Sequence, residues 1–140
     1  MTAKVLIVED EMLVAASLEA TLEDHGFACI GIAPDTAAAL TLAARERPDL
    51  ALVDLNLRDG ETGAEIGMRL AADHGATVLF VTANPRRLGP GVPGTLGVLT
   101  KPCEEDTVAA ALAFALRWRT EKGARPPPAM RIFRDQSRAA

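Results

Sequence analysis

The strongest constraint on the fold is that several short segments are apolar at every position rather than at alternate ones. These runs are Val5–Val8, Ala28–Ala33, Leu50–Val53, Val78–Val81 and Leu96–Leu99. A strand with one wet face alternates polar and apolar residues, whereas a strand covered on both faces is apolar throughout. Between the runs lie helix candidates. Val14, Leu18 and Leu22 recur at i+4, and that stretch ends at His25-Gly26, a basic last turn followed by a C′ glycine. Asp35 is placed to cap a second helix that ends before Pro48. Thr62 and Glu65 have capping-box spacing for a third, which ends at His74-Gly75. Val108, Leu112 and Leu116 mark the last helix, with Glu104, Glu105 and Asp106 in its first turn, where the helix dipole favours anions. Strands alternating with helices predict an α/β fold with right-handed crossovers and a doubly wound parallel sheet. One connection breaks the rhythm. Pro85–Gly94 reads PRRLGPGVPG, too rich in helix breakers for two regular turns, so the fourth helix is expected to be short or absent.

With 140 residues, the chain has room for one domain with its own core. No apolar run approaches the length of a membrane span, and the N-terminus has no signal-peptide architecture, so a cytoplasmic protein is expected. Cys29 and Cys103 lie far apart without metal-ligand spacing and are expected to be reduced and packed. The net charge of −4 hides an asymmetry. Residues 1–116 carry 8 basic and 17 acidic side chains, and residues 117–140 carry 7 basic against 2 acidic. Such a body repels nucleic acid, which makes nucleic acid an unfavoured partner.

In an open parallel sheet, ligands bind beyond the carboxyl ends of the strands. Those positions hold Glu9, Asp10 and Glu11 after the first run, Asp54 after the third, Thr82 after the fourth and Lys101 after the fifth. Closely spaced carboxylates repel one another and favour a hard divalent cation such as Mg²⁺. A hydroxyl and an ammonium beside them suit phosphoryl oxygens, and one carboxylate could serve as a nucleophile. Taken singly, each residue reads as solvated surface; complementary groups at four strand ends read as a site.

The segments VLIVEDE, LVDLNLRDG, VTAN and LTKP closely resemble the motifs of the response-regulator receiver domain of two-component signalling, over residues 4 to about 121. The resemblance implies a flavodoxin-like five-stranded parallel sheet in the order 2-1-3-4-5. It also implies that Asp54 is the phosphoacceptor and that Glu9 and Asp10 are the acidic pair for Mg²⁺, with Asn56 adding its backbone carbonyl. Thr82 matches the switch hydroxyl. Lys101 matches the lysine before a proline, whose peptide bond is usually cis in the family. Three positions depart from the family pattern: Val98 replaces the usual aromatic, Arg58 replaces a proline, and the fourth helix gives way to Pro85–Gly94. The implied protein is a regulatory phosphoacceptor rather than an enzyme. Its phosphoryl donor would be a sensor histidine kinase or a histidine phosphotransfer protein. Its output would run through an unidentified downstream protein, through a homodimer or as a phosphate sink. The alternatives are a degenerate receiver that binds proteins without phosphorylation, a receiver cut from a longer protein, and a Mg²⁺-dependent phosphatase. The last is disfavoured because Asn56 cannot act as a general acid.

Two further motifs carry nothing. Gly89, Gly91 and Gly94 spell G-x-G-x-x-G, but between the fourth and fifth runs rather than after the first strand. Asp54, Asn56 and Glu65 mimic EF-hand spacing, yet Asp59 stands where that loop needs glycine. The domain is expected to occupy residues 1–122, followed by a basic, Pro-led tail over 123–140. That tail holds Arg125, Arg131, Arg134 and Arg138 with Met130, Ile132 and Phe133. It reads either as a solvated end or as a docking arm.

Overall fold

The structure is a computed structural model that describes residues 2–121 and 123–133. Its strands are β1 (Lys4–Val8), β2 (Ala28–Ala33), β3 (Leu50–Val53), β4 (Thr77–Thr82), β5 (Gly97–Thr100) and β6 (Met130–Ile132). Its α-helices are α1 (Met12–Asp24), α2 (Thr36–Glu46), α3 (Gly63–His74) and α4 (Glu105–Trp118). The sheet order is β2-β1-β3-β4-β5-β6, and the first five strands are parallel. Every apolar run read from the sequence is a strand.

Alternate residues of these strands feed two separate cores, which explains their unbroken apolarity. Leu6, Val8, Ala51, Val53, Val78 and Phe80 pack with Ala39 and Ala43 of α2 and Ile66 and Leu70 of α3. Val5, Ile7, Leu50, Leu52, Leu79 and Val81 pack with Leu18 and Leu22 of α1 and Val108 and Leu112 of α4. Cys29 and Cys103 are unbridged and half-buried against the second core. Among the described residues, no helix is long and apolar enough to cross a membrane.

The helix ends follow local chemistry with one exception. The Asp35 carboxylate accepts the Ala38 N–H at 3.0 Å and caps α2. Gly26 and Gly75 adopt positive φ at the ends of α1 and α3. Thr62, expected to cap α3 through a capping box, makes no side-chain cap bond. Its hydroxyl donates instead to Asp59 at 2.7 Å, because its backbone is already helical and points the side chain away from the first turn. In place of a fourth regular helix, Pro85–Leu88 makes a single 3₁₀ turn. Leu88 and Val92 pin that connection into the first core.

The described part of the tail departs from both expectations. Residues 130–132 form β6, antiparallel to β5, so the expected five-stranded sheet has a sixth strand. The Phe133 N–H donates to the Leu96 carbonyl at 2.9 Å. Met130 and Phe133 are buried, each in a different core. An exposed β5 edge would leave unpaired backbone groups, and β6 satisfies them while hiding two large apolar side chains. Gly97 makes this possible. A Cβ there would lie 2.3 Å from the Arg131 carbonyl oxygen. Residues 130–133 therefore belong to the fold, beyond the boundary expected at residue 122. Arg134 and Arg138 lie outside the described residues.

Candidate functional site

The parallel register brings the carboxyl ends of β1, β3, β4 and β5 to one edge. Glu9 and Asp10 follow β1, Asp54 follows β3, Thr82 closes β4, and Lys101 follows Thr100 at the end of β5. The Lys101-Pro102 peptide bond is cis. Asp10, Glu11, Asp54, Asn56, Thr82 and Lys101 all line one cleft.

Lys101 is the hub of this edge. Its ammonium Nζ donates to Glu9 Oε1 at 2.6 Å and to Asp54 Oδ2 at 2.9 Å. Glu11 Oε1 stands 3.9 Å from the same nitrogen. Glu9 and Asp54 are buried, at 3% and 8% exposure, so their charges depend on this partner. Burial pushes the Glu9 carboxyl above the usual carboxylate range, although the Lys101 bond opposes the shift. For Lys101 itself burial favours the neutral amine, but the bonds to Glu9 and Asp54 outweigh it and hold the ammonium above its ordinary value. The other Asp54 oxygen, Oδ1, accepts the Leu55 N–H at 2.7 Å. Thr82 is fully buried, and its hydroxyl accepts the Asn84 N–H at 3.1 Å.

Carboxylate oxygens of Glu9, Glu11 and Asp54 lie within 4.8 Å of one another. Such an all-oxygen, multiply charged donor set fits a hard divalent cation. Sequence reasoning placed Asp10 rather than Glu11 beside Glu9. In the structure Asp10 and Glu11 both line the cleft and both are exposed, with Glu11 Oε1 3.9 Å from the Lys101 ammonium. Of the three consecutive acids after β1, only Glu9 is buried.

The β3–α3 loop around Asn56 is braced on two sides. Arg58, at the position where a proline is usual, meets the capping Asp35 at 2.5 Å. Asp59 accepts the Thr36 N–H at 3.2 Å, and its bonds to Thr36 and Thr62 hold its carboxyl down to about 2. On the other side, Arg87 of the 3₁₀ turn donates to Asn56 Oδ1 at 3.3 Å and pairs with Glu61. Neither brace was read from the sequence, because each joins charges more than twenty residues apart that only the folded topology brings together.

Comparison with known proteins agrees with this architecture. The model of the response regulator receiver domain matches residues 5–113. The phyllosphere-induced regulator PhyR of Methylorubrum extorquens is 36% identical over 118 residues, covering 83% of this chain and 44% of PhyR. The transcriptional regulatory protein PdtaR of Mycobacterium tuberculosis is 34% identical, covering 81% of this chain and 56% of PdtaR. The chain thus spans about half the length of these curated relatives. The solution structure of the Erythrobacter litoralis PhyR receiver domain superposes with a TM-score of 0.78 at 31% identity, covering 89% of this chain and 97% of that one. The crystal structure of PhyR from Brucella abortus gives 0.76 at 33% identity, covering 85% of this chain and 49% of that one. The buried acidic cleft, the sheet order and these matches lead to one conclusion: this chain belongs to the response regulator receiver family of two-component signalling.

Proposed function

We propose that the chain is a phosphoacceptor that takes a phosphoryl group from a phosphohistidine onto Asp54. The observation that carries this reading is the convergence of Lys101 on Glu9 and Asp54 at the mouth of one cleft. An Asp54 carboxylate oxygen attacks phosphorus as the P–N bond breaks, and the electron pair leaves on the imidazole nitrogen of the donor. The product is an acyl phosphate on Asp54. The Leu55 N–H and the Lys101 ammonium fix the carboxylate. Lys101 and the Thr82 hydroxyl are the groups available to phosphoryl oxygens.

Glu9, Asp10 and Asp54, with the Asn56 backbone carbonyl, would hold Mg²⁺. When bound, Mg²⁺ neutralises the repulsion between the carboxylates and an incoming phosphoryl group. The grouped carboxylates of Glu9, Glu11 and Asp54 support that role, and Asp10 lines the same cleft. The donor is a sensor histidine kinase or a histidine phosphotransfer protein. Output runs through contacts with another protein. The Bartonella quintana PhyR, an anti-anti-sigma factor at 30% identity, supports that mode of output. The cytoplasm is the compartment that fits such a partner set.

Incubation with acetyl phosphate and Mg²⁺, followed by intact mass measurement, tests the reading. The wild-type chain should gain one phosphoryl group and Asp54→Ala should gain none. Unchanged stoichiometry in Asp54→Ala would place the acceptor elsewhere. Asp10→Asn should weaken both Mg²⁺ binding, read by calorimetry, and phosphoryl uptake.

A further inference from the structure

Residues 84–89 are held from three directions. Thr82, in the cleft, accepts the Asn84 N–H at 3.1 Å. Arg87 reaches back to Asn56 at 3.3 Å and to Glu61, at the cleft mouth. From the opposite side, the guanidinium of Arg131 on β6 donates to the Gly89 carbonyl at 3.2 Å and to the Pro85 carbonyl at 3.3 Å. The same guanidinium lies 5.2 Å from the centre of the Phe133 ring. One short 3₁₀ turn therefore joins the cleft to the last strand.

That strand is attached lightly. It has three residues, it lies at the sheet edge, and it pairs with β5 alone. A short edge strand held by few contacts belongs to the part of a fold that opens first. The anchors that hold it are Met130 and Phe133 in the two cores, the Phe133-to-Leu96 backbone bond and the Arg131 clamp on the turn. Loss of the clamp removes the anchor that depends on the turn's shape.

We propose that β6 is an intramolecular latch on the outer edge of β5, and that its docking opposes phosphorylation of Asp54. The inference rests on the phosphoacceptor reading. Recruitment of the Thr82 hydroxyl as donor to a phosphoryl group on Asp54 turns its oxygen away from the Asn84 N–H, and the phosphoryl group crowds the Asn56 loop that Arg87 holds. Both changes disturb the turn whose carbonyls seat Arg131. Release of Arg131 frees β6 and uncovers the edge of β5 for another extended segment. The coupling is reciprocal: whatever frees β6 favours the phosphorylated cleft by the same factor.

Hydrogen exchange on the full chain, with and without beryllofluoride and Mg²⁺ as the phosphoryl mimic, tests this directly. Amides of the Asp54–Leu55 segment should become protected, and amides of Arg131–Phe133 should exchange about tenfold faster. Protection at Asp54–Leu55 with unchanged or slower exchange in β6 overturns the latch and leaves the phosphoacceptor reading standing. No change in exchange at either place overturns both. Gly97→Ala, whose Cβ would collide with the Arg131 carbonyl, and Arg131→Ala should each raise the apparent affinity for beryllofluoride by about the same factor. If Gly97→Ala does not fold, Arg131→Ala alone decides the point. Unaltered affinity in a folded variant whose β6 amides exchange freely overturns the proposal.

Discussion

Replacing Lys101 by Met keeps most of the side-chain volume and removes a cation that lies within 3 Å of both Glu9 and Asp54. Breaking a buried ion pair by deleting one partner costs about 3–5 kcal/mol. Lys101 retains 16% exposure and faces an open cleft, so water relieves part of that, and a loss of about 2–3 kcal/mol at pH 7 is expected. The pH dependence separates charge from packing. Burial has already raised the Glu9 carboxyl, and loss of its Lys101 bond raises it further. A carboxyl whose folded value lies above its unfolded one is most favourable to the fold below the unfolded value, about 4.3 for Glu. That contribution is lost as pH rises through the folded value. The destabilisation should therefore shrink as pH falls toward about 4.5 and grow toward neutrality. Urea unfolding at the two pH values measures it, and Mg²⁺ at pH 7 should restore part of the loss by replacing the missing charge. A loss equal at both pH values and indifferent to Mg²⁺ would show that Lys101 acts through packing, and the electrostatic account of the cleft would be wrong.

Other perturbations probe the frame around the cleft. Gly63→Ala would place a Cβ 2.0 Å from the Asp54 carbonyl oxygen; it should cost about 1–3 kcal/mol and slow phosphoryl uptake, both measurable on one preparation. Phe133→Ala removes a buried ring 6.3 Å from that of Phe80. Its cost in urea unfolding should be at most about 3 kcal/mol, because an edge strand can detach rather than hold a cavity open. Asp59 titrates near 2 in the fold, so its stabilising contribution is present above the ordinary value of about 3.9 and lost as pH falls through about 2. The urea midpoints of wild type and Asp59→Asn should accordingly converge over that acid range.

The parts of this molecule legible in its sequence are those set by local pattern. The four strands β1, β3, β4 and β5 announce themselves because their buried positions must be apolar, the edge strand β2 shares the pattern although it is only partly covered, and the strand-end residues then gather by topology alone. Asp54, Thr82 and Lys101 were accessible in this way, as was Asp35 as a cap. The illegible parts depend on pairing across the chain. The approach of Glu11 to Lys101 could not be read, since it depends on the backbone after β1. The pairings of Arg58 with Asp35 and of Arg87 with Glu61 exist only once α2 and the 3₁₀ turn bring the partners together. The alternation of Met130, Arg131 and Ile132 was a strand signal of the ordinary half-buried kind. Three residues after a proline run are too few to outweigh the reading of a solvated tail.

Glycine supplies the remaining link between cleft and latch. Gly63 lets the start of α3 lie against the backbone of Asp54, and Gly67, one turn on, gives room to the Phe80 ring, which a Cβ would approach to 2.5 Å. Phe80 in turn meets Phe133 just beyond β6, and β6 itself depends on the missing side chain of Gly97. One packed layer thus runs from the acceptor through α3 and β4 to the sixth strand, with no side chain at the three tightest points. Close packing of this kind deforms in steps rather than continuously, so the layer and the Arg87–Arg131 turn constrain the same strand from two sides. A change at Asp54 that shifts the start of α3 reaches Phe133 through the core, while one that recruits Thr82 reaches Arg131 through the turn. Phe80→Leu alters the first route without touching the second. If β6 in that variant still loosens on beryllofluoride binding, the turn carries the coupling; if the response is lost while the strand stays docked, the core carries it.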